Sequence, residues 1–323
     1  MLGTRHEVLQ WIEQKRLPSH ALAPALALAG IPPSGPQWRQ WIARLTLWLG
    51  AIFCALALIF FLAYNWQDLE RLAKFGLVEG LILLCVASCW RAGLDRPVGK
   101  AALFAATLCI GALLALVGQI YQTGADTFEL FGVWAIAVLP WVLVGRLGPL
   151  WLFWIGLLNL TAILYLQTFG GPFGFLFKPE DILWAVFVLN TAALCLWELL
   201  AALGGISWLQ ERWSPRVLAV ASGTSITALA VWAILDDRSA PPYALPAYGL
   251  WMVAAYVVYR HLLPDLFVLA GGVLSLIVVL SVGLAHHLHH TDAGAFLLIG
   301  LMVIMLSAAG GWWLKSIAQK ESP

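Results

Sequence analysis

The sequence predicts an all-α integral membrane protein, a bundle of about ten transmembrane helices with both termini in the cytoplasm. Three observations carry that prediction. Of the 323 residues 62% are hydrophobic and only 11% charged, whereas a soluble domain carries about 25% charged residues. The apolar residues form long unbroken runs, unlike the one-sided stripes of surface helices. Eighteen tryptophans exceed the needs of a soluble core. Many stand at run ends, among them Trp41, Trp90, Trp151, Trp208 and Trp312, where amphipathic rings favour the bilayer interface.

The chain divides into three stretches. Residues 1–41 are read as a cytoplasmic segment, with a short amphipathic helix over TRHEVLQWIEQKR (4–16) followed by a Pro-rich linker. His6, Glu7, Glu13, Lys15 and Arg16 interrupt the first segment, so it lacks the compact apolar core of a signal peptide and is expected to be retained. Residues 42–314 form the polytopic domain, and 315–323 a short cytoplasmic tail. The expected spans are 42–64, 72–90, 101–119, 128–145, 149–168, 181–203, 216–235, 243–262, 265–285 and 294–314. Each approaches the roughly 20 residues that cross about 30 Å of hydrocarbon. Pro264 is read as the first residue of the ninth helix, where its missing N–H is harmless.

The distribution of Lys and Arg sets orientation. With the N-terminus inside, fourteen of the eighteen basic residues fall on the cytoplasmic side and four (Arg71, Lys74, Lys178 and Arg238) on the other. This asymmetry favours cytoplasmic termini and an even number of spans. Ten helices also permit two repeats of five, but the halves share no motif.

Polar side chains inside spans are costly and need partners or a role. Glu79 lies well inside the second span, and either a proton or cation site or a buried, bonded acid would explain it. Asn159 and Asn190 lie near the middle of consecutive spans. Their similar depth predicts an interhelical amide pair worth roughly 0.6–2 kcal/mol. Glu198, nearer the cytoplasmic end, is expected to meet Arg212 or Arg216.

The densest cluster of uncharged hydrogen-bonding side chains is Gly118-Gln119-Ile120-Tyr121-Gln122-Thr123-Gly124-Ala125-Asp126, which contains no Lys or Arg. It is expected to turn between the third and fourth spans on the outer surface. Asp126 and Glu129 have capping-box spacing, and Gly118 and Gly124 permit a tight reversal. Capping leaves Gln119, Tyr121 and Gln122 unexplained. One hydroxyl and two amides suit a sugar, a headgroup or a partner protein, and they offer neither nucleophile nor metal ligand.

His286-His287-Leu288-His289-His290-Thr291-Asp292 is the second cluster. His286 and His290 share a helical face, with Asp292 as a further oxygen ligand, so these three are the candidate metal ligands. Simple polar helix termini are the competing reading. All five cysteines lie in apolar runs and are read as packing residues. A net charge of +1 leaves no basic face for nucleic acid. No nucleotide-binding or hydrolase motif is present, and no catalytic residue or cofactor is assigned.

Gly118-Gln119-Ile120-Tyr121-Gln122 with Asp126, Trp134 and Pro140, together with Ala63-Tyr64-Asn65-Trp66 and the Leu17-Pro18 end of the first helix, resembles a family of bacterial polytopic membrane proteins. That family is catalogued as a domain of unknown function. The similarity is strongest over roughly residues 5–145. The resemblance implies an inner (plasma) membrane location and a companion membrane protein of related type, with no established activity.

The leading functional expectation is a non-enzymatic membrane protein that binds a partner or envelope component through Asn65, Trp66, Gln119, Tyr121, Gln122 and Asp126. The Asn65–Trp66 turn and the 119–126 turn would share one face if the first two spans pack beside the next two. Two alternatives stand beside it. One is a secondary transporter using Glu79, and the other an enzyme acting on a lipid-linked substrate.

Overall fold

A computed structural model describes residues 11, 18–21, 24–25, 35–170, 178–236, 242–288 and 293–321. The helix expected at 4–16 and most of the linker lie outside these residues. Apart from short 3-10 turns at Ser19–Ala21 and Ser207–Gln210, the described chain is ten long helices without strands. They are α1 (Gly35–Tyr64), α2 (Arg71–Ala92), α3 (Pro97–Tyr121), α4 (Thr127–Gly145), α5 (Gly148–Phe169), α6 (Pro179–Gly204), α7 (Trp213–Leu235), α8 (Ala244–Val257), α9 (Leu266–His287) and α10 (Ala293–Glu321). Every expected span corresponds to one of them.

Nine of the ten are long and apolar enough to cross a membrane. The exception is α8, whose 14 α-helical residues continue without a break into a π turn at Val258–Leu262. Together they cover the expected 243–262 span. The π turn closes with the Leu263 N–H on the Val258 carbonyl at 2.8 Å. The short α8–α9 reversal differs from the expectation for Pro264. Asp265 caps α9, accepting from the Phe267 N–H at 3.0 Å, and Pro264 stands outside the helix. A carboxylate satisfies a free N–H at the helix start, which proline cannot do.

The chain separates into two compact units, one from Met1–Leu108 with Ile317–Pro323 and the other from Cys109–Ser316. In the first, α1 packs on α2, and Trp48 meets Phe104 edge to face at 5.7 Å.

In the second unit α7 is central, contacted by α5, α6, α8 and α9, while α4 packs on α5 and α5 on α6. The buried face of α7 alternates small and large residues, with Ala219, Ser222 and Ser225 beside Leu218, Ile226 and Leu229. Small residues let neighbouring backbones approach, which drives helix packing where lipid removes the hydrophobic incentive. Ile226, Leu229 and Ala230 join Tyr248 of α8 and Val279 of α9 in one apolar cluster. In α4, Pro140 cannot donate to the carbonyl four residues back and so weakens that turn. The adjacent Ala135 carbonyl accepts from the Trp154 indole N–H of α5 at 2.9 Å.

The two ends of this unit differ in chemistry. One collects the α4–α5, α6–α7 and α8–α9 connections, joined by Trp151 stacking on Trp208 at 6.2 Å and Arg212 bonding Asp265. At the other, Phe128 at the start of α4 meets Tyr165 and Phe169, and Trp184 meets Tyr243 at 5.3 Å. The turn between α3 and α4 lies at this second end.

Candidate functional site

The α3–α4 turn is built by helix-end chemistry. α3 ends at Tyr121, and Gln122 enters the left-handed region at φ 45°. The Thr123 N–H then reaches back to the Gly118 carbonyl at 3.4 Å, the long bond of a Schellman cap. Gly124 follows at φ 67°. α4 begins at once: the Glu129 carboxylate accepts from the Asp126 N–H at 3.2 Å, as the capping-box spacing predicts.

Asp126 and Glu129 therefore have structural work. Gln119, Tyr121, Gln122 and Asp126 are all exposed, Tyr121 by 59%. The left-handed position usually falls to glycine. A side chain there costs about 1–2 kcal/mol relative to its ordinary conformation. Gln122 carries that cost with its amide at the surface.

Asn65 and Trp66 belong to the first unit. The Asn65 side-chain amide donates to the Phe61 carbonyl at 2.9 Å, closing the end of α1. Lys74 of α2 lies over the Trp66 ring, 4.0 Å from its centroid, a cation–π contact. Both residues thus carry local bonds that hold the α1–α2 turn. Glu79 lies on an exposed face of α2, between Gly76 and Gly80, where an added Cβ would meet nothing within 4 Å.

Asn159 and Asn190 do meet. The Asn190 amide donates to the Asn159 oxygen at 2.7 Å, and the return bond is 3.4 Å. Each amide also donates to its own helix four residues back. Two further polar junctions tie α6, α7, α8 and α9 together. Thr191 bonds the Ser222 hydroxyl at 2.6 Å, which also accepts from the Trp251 indole at 3.1 Å. Ser275 bonds Thr227 at 2.6 Å and Tyr248 at 3.0 Å. These groups satisfy one another, which is what polar atoms in hydrocarbon require.

At the opposite end from the α3–α4 turn lies a charged cluster that sequence spacing only half exposed. Arg212 bonds both Glu198 oxygens at 3.0 and 3.2 Å, as one of the two expected pairings. Arg216 instead bonds Asp265 at 2.9 Å, and Arg212 reaches the same carboxylate at 3.2 Å. The Tyr259 hydroxyl, on the π turn, donates to Glu198 at 3.2 Å. Two carboxylates and two guanidiniums balance in charge. The Asp265 and Tyr259 members went unseen because 49 and 61 residues separate them from Arg216 and Glu198.

The metal candidates are placed only in part. His287 Nδ1 lies 2.7 Å from the Gly283 carbonyl, and His286 and His287 meet edge to face at 5.9 Å. His290 and Asp292 lie outside the described residues. Among those described, no group of three His, Cys, Asp or Glu side chains is arranged to hold a metal ion.

Comparison with known proteins yields one likeness. No curated protein and no solved structure matches the chain. Residues 9–151 match the model of a family described as a predicted membrane protein, DUF2157. The match spans α1 to α4 and the Gln119–Asp126 turn, nearly the stretch over which the sequence motifs suggested a resemblance. The apolar helices and the family match agree: this is a multi-pass membrane protein, similar over residues 9–151 to a family of predicted membrane proteins of unknown function.

Proposed function

We propose that the protein is a non-enzymatic inner-membrane component that holds a companion membrane protein or an envelope component at the outer surface, through the Gln119–Asp126 turn. The observation that carries this reading is Gln122. A left-handed cap position that glycine would fill without strain is occupied by an exposed amide flanked by Gln119 and Tyr121. Strained, exposed side chains concentrate where the side chain itself is used. The turn lies at the end of the second unit opposite Arg146, Arg212 and Arg216, which the positive-inside rule assigns to the cytoplasm.

Asn65 and Trp66 support the same reading as a second outer turn. The transporter alternative keeps Glu79, an acid on an exposed helix face; proteoliposome uptake abolished by Glu79→Gln would favour it. In the second unit the mid-span polar groups bond one another, which speaks for packing there.

The test is photocrosslinking in intact cells from a probe at Thr123. Gln119→Ala with Tyr121→Phe is expected to abolish the adduct while the protein still inserts and purifies normally. Gln122→Gly is expected to weaken the adduct while stabilising the turn by about 1 kcal/mol. An adduct unchanged in all variants refutes the proposal.

A further inference from the structure

The two faces of α2 differ sharply. On one, Val78 is fully buried and Lys74 is covered beneath the Trp66 ring. On the other, Leu72, Glu79, Leu83 and Trp90 recur at steps of seven, four and seven residues and are all exposed. Such spacing sets them on one side of a helix. Glu79 stands eight residues past Arg71, about 12 Å of helix rise, and so at hydrocarbon depth. No described residue gives its carboxyl a hydrogen bond or an ion pair. Ionisable side chains within spans otherwise face a bundle interior or a water-filled cavity and pair there. An acid on an open face calls for a partner from outside the chain.

The residues around Glu79 are shaped to receive a helix. Gly76-Leu77-Val78-Glu79-Gly80 has the GxxxG spacing of self-associating spans. A Cβ added at Gly76 or at Gly80 would meet nothing within 4 Å, so no described residue fills the space that they leave. Ala73 and Ala87, both exposed, continue the small side chains above and below.

We propose that this face of α2 joins two copies of the chain, with the two Glu79 carboxyls bonded to each other. A protonated carboxyl both donates and accepts, so two of them satisfy one another without a third residue. Symmetry supplies the match in depth, because a two-fold axis along the membrane normal sets each Glu79 opposite its twin. The glycines let the two backbones approach until side chains of this length meet. This contact is independent of the role proposed for the Gln119–Asp126 turn.

The test uses the full chain, labelled at its C-terminus and reconstituted in liposomes over a range of protein-to-lipid ratios. Counting photobleaching steps gives the monomer–dimer equilibrium. Glu79→Ala is expected to weaken the dimer roughly 3- to 20-fold. Glu79→Gln, whose amide also donates and accepts, is expected to stay within about 3-fold of the unaltered protein. Gly80→Leu is expected to weaken it roughly 10- to 100-fold with helical content unchanged, since the added side chain enters open space in the single chain. In intact cells, a photocrosslinking residue at Leu83 is expected to join two copies, while one at the exposed Ile136 of α4 does not. A chain that stays monomeric at every ratio overturns the proposal. So does a dimer that neither Gly80→Leu nor Glu79→Ala weakens, or a Leu83 adduct formed within one chain or with a different protein.

Discussion

Asp265 gives the most exacting test of the charged cluster. Its side chain is 1% exposed and serves three partners: Arg212, Arg216 and the Phe267 N–H that starts α9. Loss of an N-cap costs about 1 kcal/mol. Removing one member of a fully buried ion pair costs about 3–5 kcal/mol because a bare charge remains inside. Here the two arginine side chains are 34% and 42% exposed, so water takes over much of their solvation. Each contact is then worth about 0.5–1 kcal/mol, as for partly exposed pairs. Asp265→Ala should therefore destabilise by about 2–3 kcal/mol. Asp265→Asn, which keeps an acceptor for Phe267, should lose about 1–2 kcal/mol. Reversible unfolding in mixed micelles, with lipid-facing Val220→Ala as reference, measures both. A loss below about 0.5 kcal/mol for Asp265→Ala would refute the assignment of the cluster as the tie between α7 and α9. Equal losses for the two variants would show that the cap contributes nothing.

Two further outcomes test the packing. A double-mutant cycle of Asn159→Ala and Asn190→Ala should give a coupling of about 0.6–1.7 kcal/mol, and zero coupling would mean that the amides serve only their own helices. Gly111→Leu should destabilise by about 1–3 kcal/mol, because a Cβ at Gly111 runs into the Trp134 indole. Adding Trp134→Ala should recover part of that loss in the same unfolding measurement.

Apolar run length alone located all ten helices, because in hydrocarbon a spanning segment has no alternative to satisfying its backbone as a helix. The Asn159–Asn190 bond was legible for a related reason. Two amides at equal depth on consecutive antiparallel spans have few other partners. Asp126 and Glu129 could be assigned from spacing, since a cap is a local structure. Gln122 was legible as an unexplained polar residue, while its left-handed conformation was not, because no residue type but glycine announces that geometry.

The sequence by itself determined the solvent of this protein, the number and core positions of its helices (though α1 begins at Gly35 and α10 runs to Glu321, beyond the expected 42 and 314), and the local chemistry of several of their ends. All of these depend on interactions within a few residues or on bulk transfer into lipid. Only the tertiary structure decided that Asp265 and Tyr259 complete the Glu198–Arg212 cluster, that α8 finishes in a π turn, and that α8, α9 and α10 leave an apolar groove between them. The cluster and the groove arise from contacts between residues some 50 positions apart, and helix periodicity does not specify which faces will meet; the π turn is a local departure from that periodicity, closed by the Leu263 N–H on the Val258 carbonyl.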